Sequence, residues 1–397
     1  MKLRGLRVVD LCQFLPGPHL SMMMADHGAE VIKVEPPGAG DPTRSLGPGR
    51  DGHAQYFRNV NRGKKSIALD LKNPDGREAL LRVLETADVA LEAFRPGVAA
   101  RLGVGYDAVR ARNPRIVYAS ISAFGQTGSM RDSGVHDMSI QAMAGPLSQN
   151  VDSAGRPVVP GMASADMSAS LMALSGILMA LLRARDTGEG DYLDIAMHDT
   201  LLAWTPHMSG PVLVEGRAPL PGEERTQGGA ALYQIYETAD AKWITLGGSE
   251  VKFAVNLLTA LGRPDLIETA KLPAGPAQRP LRDFLTATFL ARTQAEWIAW
   301  FEGRDIAFAP MLDLKQAFEK PLVAERDMLL TDEAGNKHIG VPIKFREEPA
   351  RPGFALSQLG ADGPAILAGI GYDAEAIDRM IASGALHVAA TADGGAR

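Results

Sequence analysis

The sequence predicts an α/β protein: a doubly wound parallel-sheet domain followed by a smaller α/β domain. Three observations predict it. Short apolar strand patterns alternate with helical patterns from the first residues onward, and strands separated by helices build a parallel sheet covered on both faces. A polar, breaker-rich stretch that includes Pro219, Pro221, Gly222, Glu223, Glu224 and Arg225 interrupts the better-patterned regions. The chain also has 397 residues, and domains usually run to ~100–200, which favours two of them.

Taken in order, residues 6–11 read as a strand, Pro16-Gly17-Pro18 as loop punctuation, 20–27 as a helix and Gly28 as its stop. Residues 30–35 return as a strand. Asn73-Pro74-Asp75 opens a helix with Leu80, Leu81 and Leu84 on one face, followed by strands at 88–92 and 115–121. Residues 1–210 therefore form the first part of a large Rossmann-like domain, 211–228 a linker, 229–329 the small α/β domain and 330–397 a C-terminal segment. In the small domain, 243–246 read as a strand, helices fall near 252–261 and 280–290, and Thr293 to Glu296 has capping-box spacing before Trp297 and Trp300. The stretch from Gly384 onward lacks periodicity and is expected to fray.

Composition narrows the function classes. With 46% hydrophobic residues, 22% charged residues and a net charge of −6, the chain has no overall basic character to attract nucleic acid. Cys12 is the only cysteine, which excludes an intrachain disulfide and fits a reducing, cytoplasmic setting. The N-terminus shows no signal-peptide pattern. The longest apolar stretch, 169–182, is interrupted by Ser170, Ser175 and Gly176 and falls short of the ~20 residues of a membrane span, so a buried helix and no membrane are expected.

Several motifs carry chemistry. The opening strand-loop-helix-strand ending in Glu35 outlines a nucleotide-binding unit, but only Gly17 stands before the helix, so the glycine pattern that admits a pyrophosphate is missing. Asp166 precedes an apolar helix, where free N–H groups and the positive dipole end would cap it or hold it ionised for attack on a thioester. His136-Asp137 reads as a turn with a cap or as a histidine poised for proton transfer. His198-Asp199 sits in a strand-to-helix context that favours a structural role. Arg62, Lys64, Lys65, Lys72, Arg95 and Arg101 flank strands as a polyphosphate ligand would require, although such residues are usually a solvated surface. Gly247-Gly248 follows a strand, as an ordinary turn or as flexible backbone beside a substrate. No His/Cys spacing suggests a metal.

Together these stretches resemble the family III (CaiB/BaiF) CoA-transferases, a family that also holds α-methylacyl-CoA racemases. The resemblance rests on residues 6–10, 28–35, 61–66 and 69–72, then on 94–97, 124–128, 188–190 and 236–240, and so spans nearly the whole chain. It implies a coenzyme A thioester as substrate and a carboxylic acid as acceptor, with no permanently bound cofactor. It places the catalytic aspartate on Asp166 and CoA contacts on Leu15, Pro16, Leu69, Asp70, Leu71, Lys72, Ala93, Phe94, Arg95 and Arg101. Pro36 stands where some relatives have an arginine near the adenosine. The resemblance also implies an interlocked homodimer whose C-terminal segment returns to the large domain.

Transferase and racemase features are mixed. His136-Asp137 and Glu250 match racemase positions, in which His136 and Asp166 would exchange protons on opposite faces of one carbon. Residues 38–61, with Tyr56-Phe57, and residues 140–145 are transferase-like. A transferase needs Asp166 as nucleophile, with Gly247 and Gly248 amides as candidate oxyanion donors. A non-catalytic acyl-CoA-binding protein is the alternative of another class.

Overall fold

The structure, a computed structural model, describes residues 1–389. They form two compact units. The larger comprises Met1–Ala144, Met162–Trp204 and the chain from Leu322 onward; the smaller comprises Gly145–Gly161 and Thr205–Pro321.

The larger unit is built on β1 (Arg7–Asp10), β2 (Glu30–Glu35), β3 (Lys65–Leu69), β4 (Val89–Glu92), β5 (Val117–Ser122) and β6 (Tyr192–Ala196). They lie parallel in the order β3-β2-β1-β4-β5-β6. This is the doubly wound order, reversing direction between β1 and β4. β3 was not among the strands read from the sequence.

Neighbouring residues of one strand serve opposite faces, which is why these strands are apolar throughout. Val9, Ile32, Ile67, Ala90 and Tyr118 pack on the helix Pro74–Glu85 and its neighbours. Val8, Val31, Val89, Val117 and Ala119 pack with Leu20 and Met24 of α1 (Pro16–Asp26), and on the same side lie Ile140 and the helix after it. α1 begins at Pro16, four residues before the expected start. Proline at the first helical position has no N–H to lose and a φ already suited to the helix, so the punctuation is the helix opening.

The expected buried helix is longer and less buried than the sequence suggested. It runs over Ser164–Thr187 and is long and apolar enough, by length and composition, to cross a membrane. Its small residues Ala165, Ala169 and Ala173, with Ile177, are completely buried in the sheet core. Met179 and Leu182 point outward, 71% and 65% exposed.

The smaller unit carries an antiparallel sheet of Tyr233–Glu237, Trp243–Gly247 and Phe308–Pro310, with the middle one in sequence at the centre. Helices Val251–Ala260, Arg279–Phe289 and Gln294–Phe301 cover it around Ile244, Leu257, Leu285, Phe289 and Trp297. The capping box forms, with Thr293 and Glu296 exchanging hydrogen bonds. Within the breaker-rich stretch, Gly210–Glu215 is helical.

In the larger unit the C-terminal segment docks on the sheet edge. Ser66 N–H donates to Asp362 (2.8 Å), and Leu386–His387 pairs antiparallel with β3. The stretch from Gly384 therefore contributes a strand as far as it is described; positions 390–397 lie outside the described residues.

Candidate active site

The strand order reverses between β1 and β4, and the space outside the carboxyl ends of strands at such a reversal is where doubly wound sheets bind ligands. Leu15 and Pro16 lie there at the start of α1, and Ala93, Phe94 and Arg95 follow β4. The latter loop is shaped by Glu92, whose carboxylate accepts from Phe94 N–H at 2.7 Å and from Ser120 Oγ. At the carboxyl end of β3, Asp70 Oδ1 accepts from Lys72 N–H (2.9 Å) and turns the chain. Arg101 ends the helical turn Val98–Arg101, entered through Gly97 at φ 79°. Lys72, Arg95 and Arg101 are exposed. A side chain at residue 134 would meet Arg95, since a Cβ on Gly134 would sit 2.3 Å from its Nη2.

The other basic residues are engaged in ion pairs within the chain, Arg62 and Lys64 buried and Lys65 at the surface. Arg62 forks onto Asp26 (2.7 and 3.2 Å), Lys64 meets Asp10 (3.1 Å), and Lys65 meets Glu30 (2.5 Å). They are structural ion pairs, not free phosphate contacts. Glu35, the acidic residue of the dinucleotide outline, is likewise consumed by Arg44, Ser66 Oγ and Asp41 N–H.

Asp166 lies in the first turn of the long helix, at its third residue, and not at the cap. The N–H groups expected to steady its carboxylate belong to another residue. Asp137 Oδ1 accepts from Ala165 N–H (2.8 Å) and Asp166 N–H (3.0 Å), while Asp137 Oδ2 accepts from Gln141 Nε2 (2.6 Å). Asp137 thus caps the helix from a distant element, the helix Asp137–Met143. Asp166 is half-buried, and among the described residues nothing donates to its carboxylate. Burial and then the Asp137 charge push its pKa up to about 7. The positive helix end opposes this, but its nearest donors are taken.

His136 is exposed beside Asp137, and its ring meets the Phe14 ring edge-on at 6.1 Å. Tyr56 belongs to the same surroundings: burial, then the charges of Asp166 and Asp41, raise its hydroxyl to about 12. The sequence marked Tyr56 only as part of a resembling segment.

The profile of CoA-transferase family III matches residues 3–363. This chain belongs to that family. A mouse succinyl-CoA:glutarate CoA-transferase is 32% identical, over 97% of this chain and 90% of its own. A human alpha-methylacyl-CoA racemase is 31% identical over 96% of each chain. The crystal structure of a CAIB/BAIF family protein from Brucella suis superposes with a TM-score of 0.81 at 29% identity, covering 93% of this chain and 99% of that one.

Three further residues singled out in this CoA-transferase family member, Gly247, Gly248 and Glu250, lie in the smaller unit. Glu250 precedes the helix Val251–Ala260 and is exposed. Gly247 N–H donates to Ala307 O (2.9 Å) and Gly248 N–H to Leu232 O (3.1 Å). Both amides are therefore committed to their own sheet and loop, which corrects their reading as oxyanion donors. Gly248 is required by packing, because a Cβ there would lie 2.7 Å from Ala307 and Phe253. In the larger unit, His198 contacts its neighbour Asp199 (3.1 Å) and the Phe124 ring.

Proposed function

We propose that this family III enzyme moves CoA from an acyl-CoA thioester to a carboxylic acid with Asp166 as nucleophile. The observation that carries the reading is the Asp166 carboxylate: half-buried, without a hydrogen-bond donor among the described residues, and raised to about 7, so that near neutrality a large fraction is ionised. Asp166 attacks the thioester carbonyl and expels CoA thiolate, leaving a mixed anhydride. The thiolate attacks the aspartyl carbonyl, releasing the first acid and leaving an aspartyl-CoA thioester. The acceptor carboxylate attacks that thioester, giving a second anhydride and thiolate again. Thiolate attack on the new acyl carbonyl then forms the product thioester and restores Asp166.

In this reading Lys72, Arg95 and Arg101 meet CoA phosphates, and Leu15, Pro16, Leu69, Asp70, Leu71, Ala93 and Phe94 line its path. Pro36, exposed just after β2, supplies no charge to the adenosine end. The mouse relative's name makes succinyl-CoA and glutarate the first pair to assay.

One observation favours a second reading. His136 adjoins the residue that caps the Asp166 helix, and an aspartate titrating near 7 suits proton transfer. Incubation with a chiral 2-methylacyl-CoA in D2O, beside a screen of thioesters against acids, separates the two. CoA transfer without α-exchange supports the transferase; rapid α-exchange with no transfer to any acid refutes it and supports the racemase.

A homodimer is part of the proposal. Met179, Leu182, Leu213 and Val214, between 65% and 84% exposed in the single chain, are the surfaces a second copy would cover. Sedimentation should show a dimer that persists on dilution; a stable folded monomer would overturn it.

A further inference from the structure

Four buried charges cluster around the carboxyl end of β1, and the proposed reaction uses none of them. Asp10 ends β1 and pairs with Lys64 at 3.1 Å. Lys33, beside Asp10 in the parallel register, pairs with Asp41 at 2.8 Å. All four residues are less than 5% exposed. Apolar residues of similar volume commonly fill such positions without loss of stability, so two buried ion pairs in one place point to a task other than stability.

Their hydrogen bonds converge on one short segment. Asp10 Oδ1 accepts from Cys12 N–H and Lys33 Nζ donates to Cys12 O, both at 2.9 Å. Asp41 Oδ1 accepts from Phe14 N–H at 3.5 Å, and from Thr43 N–H and Oγ1 at 2.9 and 2.7 Å. Lys64 Nζ donates to Pro18 O at 2.9 Å. The chain is thus gripped at 12, 14 and 18. Between these grips Phe14 adopts φ 63°, a left-handed conformation that a bulky residue keeps only where its surroundings impose it. The same turn lays the Phe14 ring against His136 and leads directly into Leu15 and Pro16.

We infer that Lys33 and Asp41 are positioning residues that hold residues 12–15 in this turn, so that Leu15 and Pro16 face CoA and Phe14 walls the His136 side of the site. The inference rests on the proposed CoA site. It separates geometry from stability, because the pair acts through backbone groups of the loop and not through substrate.

The test compares the wild-type protein with Lys33→Met/Asp41→Leu, which replaces the pair with apolar side chains, and with Thr43→Val, which removes a single donor to Asp41 and leaves the charges paired. Melting temperature, the Kd of free CoA by calorimetry and kcat/KM for transfer are measured on each. In the double variant Tm should hold within a few degrees, while CoA Kd rises about tenfold and kcat/KM falls roughly a hundredfold, as expected for a misplaced site. Thr43→Val should lower kcat/KM several-fold at unchanged Tm. A purely structural pair predicts the reverse, a shifted Tm with unchanged Kd and kcat/KM, and that result overturns the inference. Should the double variant not fold, Thr43→Val decides, and wild-type kinetics there overturn it as well. A wild-type protein that binds CoA but transfers nothing sinks the transfer reading alone, and the Kd comparison still decides this one.

Discussion

Asp137→Asn probes how the site sets the charge of Asp166. In the native protein Asp137 Oδ1 lies 3.0 Å from the Asp166 amide nitrogen, and its charge is the second cause, after burial, of the raised pKa of about 7. At that value roughly half of Asp166 is ionised at pH 7 and about a tenth at pH 6, so kcat/KM should fall with unit slope on the acid side. Asparagine keeps an oxygen for the helix N–H groups and removes the charge. Unit charges about 4 Å apart interact by ~1–4 kcal/mol between water-like and protein-surface dielectrics. One pKa unit corresponds to about 1.4 kcal/mol, so the acid limb should move down by about one unit or more. Because burial is the larger cause, it should remain above the usual carboxylate value of about 4. The assay is kcat/KM for CoA transfer from pH 5 to 8, both proteins being checked for equal melting temperature. An acid limb that stays in place, or moves up, refutes the argument that Asp137 holds Asp166 near neutrality.

Two further outcomes are expected. Gly134→Ala places a methyl group 2.3 Å from Arg95 Nη2 and must displace that side chain. It should weaken CoA binding as Arg95→Ala does, with the larger loss at low salt, and calorimetry at two ionic strengths checks this. Burial lowers the pKa of His19 to about 4 and also depresses His27, His53 and His338. His19 therefore stays neutral in the fold down to about pH 4, and the other three take up a proton less readily than in the unfolded chain, where histidine charges below about 6.5. Stability should be full above that pH and decline toward pH 4, as Tm against pH would show, with a shallower decline in His27→Leu.

The sheet was legible because its strands are apolar on both faces and alternate with helices, a pattern visible without partners. Strand 30–35 matches the structure residue for residue, and the strand 243–246 falls one residue short. The start of α1 was not, since Pro16-Gly17-Pro18 signals a break equally well when it opens a helix. Charges were the least legible class. Arg62 and Lys64 read as phosphate contacts or as a solvated surface, yet their partners Asp26 and Asp10 lie 36 and 54 positions away, and no local pattern announces such pairs. The cap on the Asp166 helix failed for the same reason: the sequence offered Asp166 its own helix donors, while folding brings Asp137 to them from 28 positions upstream. The glycines at 247 and 248 showed flexible backbone, but only the structure shows their amides already bonded. The outward face of the long helix was hidden by composition, because small and large apolar residues count alike until one face packs.

The proposed transfer passes through a covalent bond to Asp166. Wild-type protein mixed with succinyl-CoA and no acceptor, quenched with hydroxylamine and mapped by peptide mass spectrometry, should carry a hydroxamate on the peptide containing Asp166, and Asp166→Asn should carry none. CoA transfer by the wild-type protein with no adduct at Asp166, together with transfer retained in Asp166→Asn, would contradict it.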